Sequence, residues 1–353
     1  MNTPATKRYR VVQWATGNVG SRSLRHVIEH PDLDLVGVWV HGTDKVGMDA
    51  GELAGLAATG VKATNSIDDV LALKPDCVLY MPHVCNYDDV CRILESGANV
   101  VSTRMEFQNP VAHNPEIAAR IEAACQKGGS SIHASGSSPG FITEAMPLVM
   151  ASIQRRLDHL RIDEFADCSS RDSPEMLFEM MGFGAPPGQA SEGQLKHKEM
   201  SFGPSMQLVA TALGMALERF EVTGAQGFAR ADVHIAAGVV AKGTVAATRT
   251  TLTGFHKGKP LMTMCTTWFV SDDVETSDGQ QWEFRSPSGW HVVMQGDCPL
   301  DVVITFPCAL EDYADMTPGL TANRPVNAVP YVCEAAPGIR TTADLPQIVA
   351  RLG

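Results

Sequence analysis

The chain is short of positive charge, of long apolar runs and of paired cysteines. Its 28 Lys and Arg stand against 40 Asp and Glu, a formal net charge of −12. A surface of that sign repels phosphate backbones and anionic lipid, so neither nucleic acid nor a membrane is an expected partner. No stretch approaches the roughly 18 consecutive apolar residues that span a bilayer. The opening MNTPATKRYR is polar and leads directly into a strand pattern, which reads against a signal peptide. Nine cysteines are scattered without a CxxC pair. Their odd number and spacing suit reduced thiols in a cytoplasm better than a disulfide framework or a zinc site, and no metal is expected. GxSxG, HExxH and the P-loop are also missing, which removes the serine-hydrolase, zinc-protease and P-loop readings.

What remains is an ordinary globular composition, 44% hydrophobic and 19% charged over 353 residues. That length accommodates two domains. Short apolar runs at 8–14, 33–40, 75–80, 99–102 and 131–134 alternate with helical patterns at 20–29, 67–72, 87–96 and 115–128. Such alternation implies βαβ units and a parallel sheet. After residue 140 the style changes. Helical patterns at 141–157, 173–182 and 206–217 are interspersed with strand-like runs at 160–169, 221–229, 239–255, 260–270, 282–295 and 300–306, and 184–193 reads as a loop. The expected fold class is α/β: an N-terminal Rossmann domain with a parallel sheet, plus an α+β domain with a mixed open sheet. The expected boundaries are 1–140 for dinucleotide binding and 141–310 for substrate and dimerisation. A segment 311–353, helical over 316–332 despite its prolines, is expected to return to the Rossmann domain.

The first strand runs into Trp14-Ala15-Thr16-Gly17-Asn18-Val19-Gly20, a dinucleotide fingerprint with Ala15 in the first glycine's place. Gly17 lets the backbone approach a pyrophosphate, and Gly20 lets the helix pack closely on the strand. Thr16, Asn18 and Val19 complete a turn whose free N–H groups and dipole end attract phosphate. The second strand ends without a carboxylate, in Val40-His41-Gly42-Thr43-Asp44-Lys45. His41 and Lys45 can neutralise a 2′-phosphate, which favours NADP, while Asp44 keeps NAD open. Residues beyond later strand ends should line the same cleft: Pro82 and His83, then Thr103 and Glu106, then the 135–141 loop with Gly136 and Phe141. Glu106 is the one carboxylate just past a strand end, placed to hold or activate a cationic group. Cys85 has nothing around it to activate a thiolate, and His291 sits in a strand of the second domain, where it can face substrate. Met176 lies in a methionine-rich stretch suited to an adaptable apolar wall.

The segments VVQWATGNVG (11–20) and VWVHGTDKVGMDAGEL (38–53) resemble the dihydrodipicolinate-reductase-like superfamily. Together with EFADCSSRDSPEMLFEMMG (164–182) and NRPVNAVPYVCEAAPG (323–338), they are most similar to the branch of 2,4-diaminopentanoate dehydrogenase and the native NAD(P)-dependent amine dehydrogenases. The resemblance implies reductive amination of a ketone or aldehyde with ammonia and the reverse deamination, in a homodimer paired through the open sheet. Glu106 would be the residue of ammonia and iminium chemistry, and Asn327 would lie near the nicotinamide with Pro82 and the 135–141 loop. Arg171 stands where many relatives carry an aromatic residue. A cation there favours a substrate carboxylate and disfavours a second ammonium. The His- and Lys-containing motif of dihydrodipicolinate reductase itself is absent. An imine or carbonyl reductase acting without ammonia, and a non-enzymatic NAD(P) sensor, are the competing readings.

Overall fold

A computed structural model describes residues 7–188, 192–285 and 288–352. Parts of the expected 184–193 loop and 282–295 strand, and the first residues of the polar N-terminal stretch, lie outside them. The chain divides into two compact units. One joins the residues up to Ala145 to those from Thr317 on, and the other is Met146–Met316.

The first unit is a parallel sheet of β1 (Tyr9–Trp14), β2 (Leu33–Trp39), β3 (Ala63–Thr64), β4 (Cys77–Tyr80), β5 (Asn99–Ser102), β6 (Ser131–Ala134) and a short strand Gly338–Ile339. The order runs from Gly338–Ile339 through β6, β5, β4, β1 and β2 to β3, so the winding reverses between β1 and β4. Ligands of such sheets bind beyond the carboxyl ends of the strands at that reversal. Strand alternation sorts the core into two layers. Val12, Trp14, Val78, Tyr80 and Val100 face the helices Tyr87–Glu95 and Pro115–Gly128 through Ile93, Leu94 and Ile121. Val11, Leu79 and Val101 face the other way, onto Val27 of the helix Asn18–Glu29 and Val326, Val329 and Val332 of the helix Leu310–Cys333. Because both faces are covered, the strands read as near-continuous apolar runs.

The loop between β2 and β3 is organised by one carboxylate. Asp49 accepts backbone N–H bonds from Gly51 (2.8 Å), Thr59 (2.8 Å) and Gly60 (2.9 Å), and those donors hold it down at about 2.

The second unit contains β7 (Leu157–Asp167), β8 (Arg219–Ala229), β9 (Val233–Ile235), β10 (Gly238–Val240), β11 (Val245–His256), β12 (Lys259–Phe269), β13 (Val274–Thr276), β14 (Ser288–Gly296) and β15 (Leu300–Thr305). Its main sheet has the order β13-β8-β11-β12-β7-β14-β15. Only the β7–β12 pair is parallel, so the sheet is mixed, and β9 and β10 form a separate hairpin. The helix Glu192–Ala212 packs on β8 and β11.

Several local expectations are corrected. The helix expected over 141–157 ends at Ala151, and non-helical backbone at Ser138, Pro139 and Gly140 breaks its approach. The strand expected over 239–255 is interrupted by a turn at Gly243, whose φ of +78° a strand does not adopt. The helix expected over 206–217 begins at Glu192 and stops at Ala212. Around 173–182 only Glu175–Met180 winds, as a wide turn.

Replacing Asp49 with Asn tests the loop. A carboxyl held at about 2 when folded and near its ordinary ~3.9 when unfolded contributes stability that is present above ~4 and is lost as pH falls through 2. Thermal unfolding of Asp49→Asn should start at a lower temperature than wild type at neutral pH, and the gap should close towards pH ~2.

Candidate cofactor site and the Glu106 loop

The turn after β1 is built by close approach. A Cβ on Gly20 would collide with the Ala15 carbonyl oxygen, so the helix Asn18–Glu29 can seat against the strand end only with glycine there. Gln13, fully buried, braces the turn. Its amide donates to the Ala15 carbonyl at 3.0 Å and accepts from Ser23 Oγ at 2.7 Å. Ala15 itself is at φ +74°, the left-handed region that costs an alanine roughly 1–2 kcal/mol. Gly17 is the N-cap, with no side chain capping the helix, and a Cβ built on it meets nothing within 4 Å. The first-turn N–H groups at Asn18, Val19 and Gly20 thus have no side-chain cap, as a bound pyrophosphate requires.

Lys45 is brought to this turn. Its Nζ lies 3.3 Å from the Thr16 carbonyl oxygen and 3.4 Å from Thr16 Oγ1. His41 is exposed beside Trp39, ring centroids 6.2 Å apart, and Trp39 stacks on Trp14 at 4.3 Å. Asp44 is exposed on the same short turn.

Pro82, His83, Thr103 and Glu106 follow the ends of β4 and β5, and Gly136 and Phe141 follow β6. Glu106 does not stand alone. Arg104 Nε donates to Glu106 Oε2 at 3.1 Å and Nη2 to Oε1, while Nη1 donates to the His83 carbonyl at 2.6 Å. The two side chains are 23% and 12% exposed, so this fork is sheltered but reachable. Cys85 sits nearby, and burial together with the Glu106 charge pushes its thiol up to about 12, so no thiolate is available there. The 135–141 loop is tied from below. Phe141 N donates to the Gly136 carbonyl (2.8 Å), Ser137 Oγ meets Thr321 Oγ1 (2.9 Å), and Arg324 Nε donates to Ser135 Oγ (2.8 Å). Asn327, on the same helix as Arg324, has a buried Oδ1 with no partner among the described residues. An amide-bearing ligand would satisfy it. Open turn, uncapped helix, adjacent lysine and orphaned acceptor all fit a nicotinamide dinucleotide.

In the second unit, Arg171 reaches the Met176 sulfur at 3.8 Å, and the Glu175–Met180 turn buries Leu177 with Ala166 and Cys168. His291 is not gathered with them. In register it pairs with Asp163, whereas Trp290 pairs with Glu164 on the other face, and its Nε2 is engaged by Asp301 at 2.8 Å. This register puts His291 on the sheet face opposite Glu164 and Trp290. Sequence reasoning missed Gln13, Arg104 and Arg324. Arg104 stood two residues from a singled-out carboxylate, which was the signal available.

An open phosphate turn at the reversal point of a doubly wound sheet, followed by a mixed-sheet unit, defines a Rossmann-type NAD(P)-dependent oxidoreductase. Residues 141–353 match the family described as the 2,4-diaminopentanoate dehydrogenase C-terminal domain. The chain is 30% identical to an amine dehydrogenase of Streptomyces virginiae, over 97% of this chain and 98% of that one. It is 23% identical to the 2,4-diaminopentanoate dehydrogenase of Acetoanaerobium sticklandii, over 76% of this chain and 72% of the relative. The solved amine dehydrogenase of Mycobacterium smegmatis shares the fold, with a TM-score of 0.76, 20% identity and 97% of each chain covered. The chain belongs to the amine dehydrogenase and 2,4-diaminopentanoate dehydrogenase family.

The contact at Gly20 gives paired expectations. Gly20→Ala should destabilise the protein by about 2 kcal/mol or more and weaken NADPH binding together, because the helix must retreat from the turn. Ala15→Gly should do the reverse, gaining about 1 kcal/mol by removing left-handed strain. Calorimetry and a fluorescence titration with NADPH check both.

Proposed function

We propose that the chain reduces the imine formed from a ketone or aldehyde and ammonia, using NAD(P)H, and catalyses the reverse deamination, with Glu106 as the residue of ammonia chemistry. The observation that carries this reading is the sheltered Glu106 carboxylate beyond β5. Of the other carboxylates in the loops beyond β4, β5 and β6, Glu144 is 1% exposed and already accepts from Thr342. The Glu106 carboxylate attracts ammonium, takes a proton so that free ammonia can add to the carbonyl carbon, returns that proton to the hydroxyl that departs as water, and, a carboxylate again, holds the cationic imine by charge. The bound reduced nicotinamide supplies the hydride to the C=N carbon. Arg104 competes in this scheme, since its guanidinium occupies the oxygens that an ammonium would use. One N–H···O bond must open when the cation arrives.

Thr16 to Gly20 would carry the pyrophosphate. Lys45 and His41 would meet the 2′-phosphate, so NADP is the preferred cofactor. Pro82, His83, Thr103, Gly136, Phe141 and Asn327 would border the nicotinamide half. Arg171 and Met176 would contact substrate, the guanidinium suiting a carboxylate. In this assignment 1–140 and 311–353 hold the cofactor, and 141–310 hold the substrate and the contact of a cytoplasmic homodimer. Among the described residues no helix is long and apolar enough to cross a membrane.

Three variants test the reading. Glu106→Gln should lower ammonium-dependent NADPH oxidation by about 100-fold or more while leaving NADPH affinity unchanged. Full activity in that variant, or oxidation that ignores ammonium, would select the ammonia-independent imine or carbonyl reductase. Arg104→Met should lower the KM for ammonium about threefold or more by removing a competing cation. Lys45→Ala should raise the KM for NADPH about tenfold and leave that for NADH nearly constant.

A further inference from the structure

We propose that Lys198, on the helix Glu192–Ala212, is a nucleophile that captures aldehydes and ketones as an imine within the second unit. Lysines ordinarily bury the alkyl stem and keep the ammonium in water. Lys198 does the opposite. The residue is only half-buried, yet its Nζ is buried and has no hydrogen-bond partner among the described residues. The nitrogen lies over the Trp268 ring, 3.0 Å from its centroid, with Phe202 at 5.8 Å.

The neighbouring carboxylate does not rescue it. Glu164 spends one oxygen on Trp268 Nε1 (3.1 Å) and the other on Trp290 Nε1 (3.1 Å). Burial pushes Lys198 down to about 7, against the pull of Glu164 and Cys168. A large share of the side chain thus carries a free lone pair at neutral pH, the state in which a desolvated lysine attacks a carbonyl. The surroundings select the class of ligand. A phosphate or carboxylate brought to Nζ would face the Glu164 charge, whereas an uncharged carbonyl carbon would not. The indoles and Phe202 offer an apolar wall for an alkyl group.

The step balances. Nζ bonds to the carbonyl carbon, the two Nζ protons pass to the carbonyl oxygen, and that oxygen leaves as water to give C=N. Glu164 is the adjacent group able to relay a proton. Ammonia exchanging into the C=N would return Lys198 and release the free imine; this last link alone rests on the function proposed above.

The test uses the intact protein, butanal and sodium cyanoborohydride, without nicotinamide or ammonium, followed by peptide mass mapping. Lys196, exposed two residues earlier on the same helix, is the internal comparison. At pH ~7 the reduced adduct should appear on Lys198 at least about tenfold faster than on Lys196, and the ratio should fall towards pH ~10 as ordinary lysines lose their proton. Labelling that follows exposure, with Lys196 ahead of Lys198 at pH ~7, would overturn the proposal. Because no turnover is required, that result is distinct from a failure of the amine dehydrogenase reading.

Discussion

The approach of the Asn18–Glu29 helix to the end of β1 is the contact on which the candidate cofactor site rests. No side chain fits between Gly20 and the Ala15 carbonyl. With that gap closed, the helix axis is aimed at the turn, and its uncapped N–H groups are offered to whatever occupies the space above Gly17. Two costs are incurred to keep it so. Ala15 holds a conformation better suited to glycine, and Gln13 is buried as a polar brace inside an otherwise apolar strand. Strain and buried polarity at one turn are the marks of a position selected for binding rather than for stability.

Around this turn an acidic protein places its cations sparingly. Lys45 rests on backbone and hydroxyl oxygens of Thr16, neither of them charged, so its charge stays available to an anion. Arg104 is spent on a carboxylate and a carbonyl. Arg324 is buried enough to lower its basicity, and it donates to Ser135 under the loop that follows β6. Of these three basic groups one rests on uncharged oxygens, one is paired with an acid, and one braces a loop. The difference lies entirely in what each side chain already touches.

Much of the first unit was legible because its signals are local. A strand, a glycine turn and a helix start occupy consecutive residues, and Glu106 was placed by counting past a strand end. The side-chain direction of Arg104 was not legible, since proximity in sequence does not reveal which way a guanidinium turns. Gln13 was hidden inside an apolar run. The face on which His291 lies was not legible, because it depends on register with β7, a pairing between distant segments. Lys198 escaped because the polar run GQLKHKEM carries little helical periodicity, and only packing against the sheet shows that the helix begins at Glu192.

The helix Leu310–Cys333 begins in one unit and ends in the other, where Val326, Val329 and Val332 cover one layer of the parallel sheet. The parallel-sheet unit is therefore discontinuous in the chain. A ribosome completes all of β1 to β6, and then the whole intervening unit, before the valines that shield Val11 and Val101 are made. Until then that sheet face lacks part of its cover, and its apolar rows are open to chaperones or to mispairing. Completion of the parallel-sheet unit is thus coupled to the order of synthesis: β1 to β6 emerge first, the mixed-sheet unit next, and the shielding of Val11 and Val101 last.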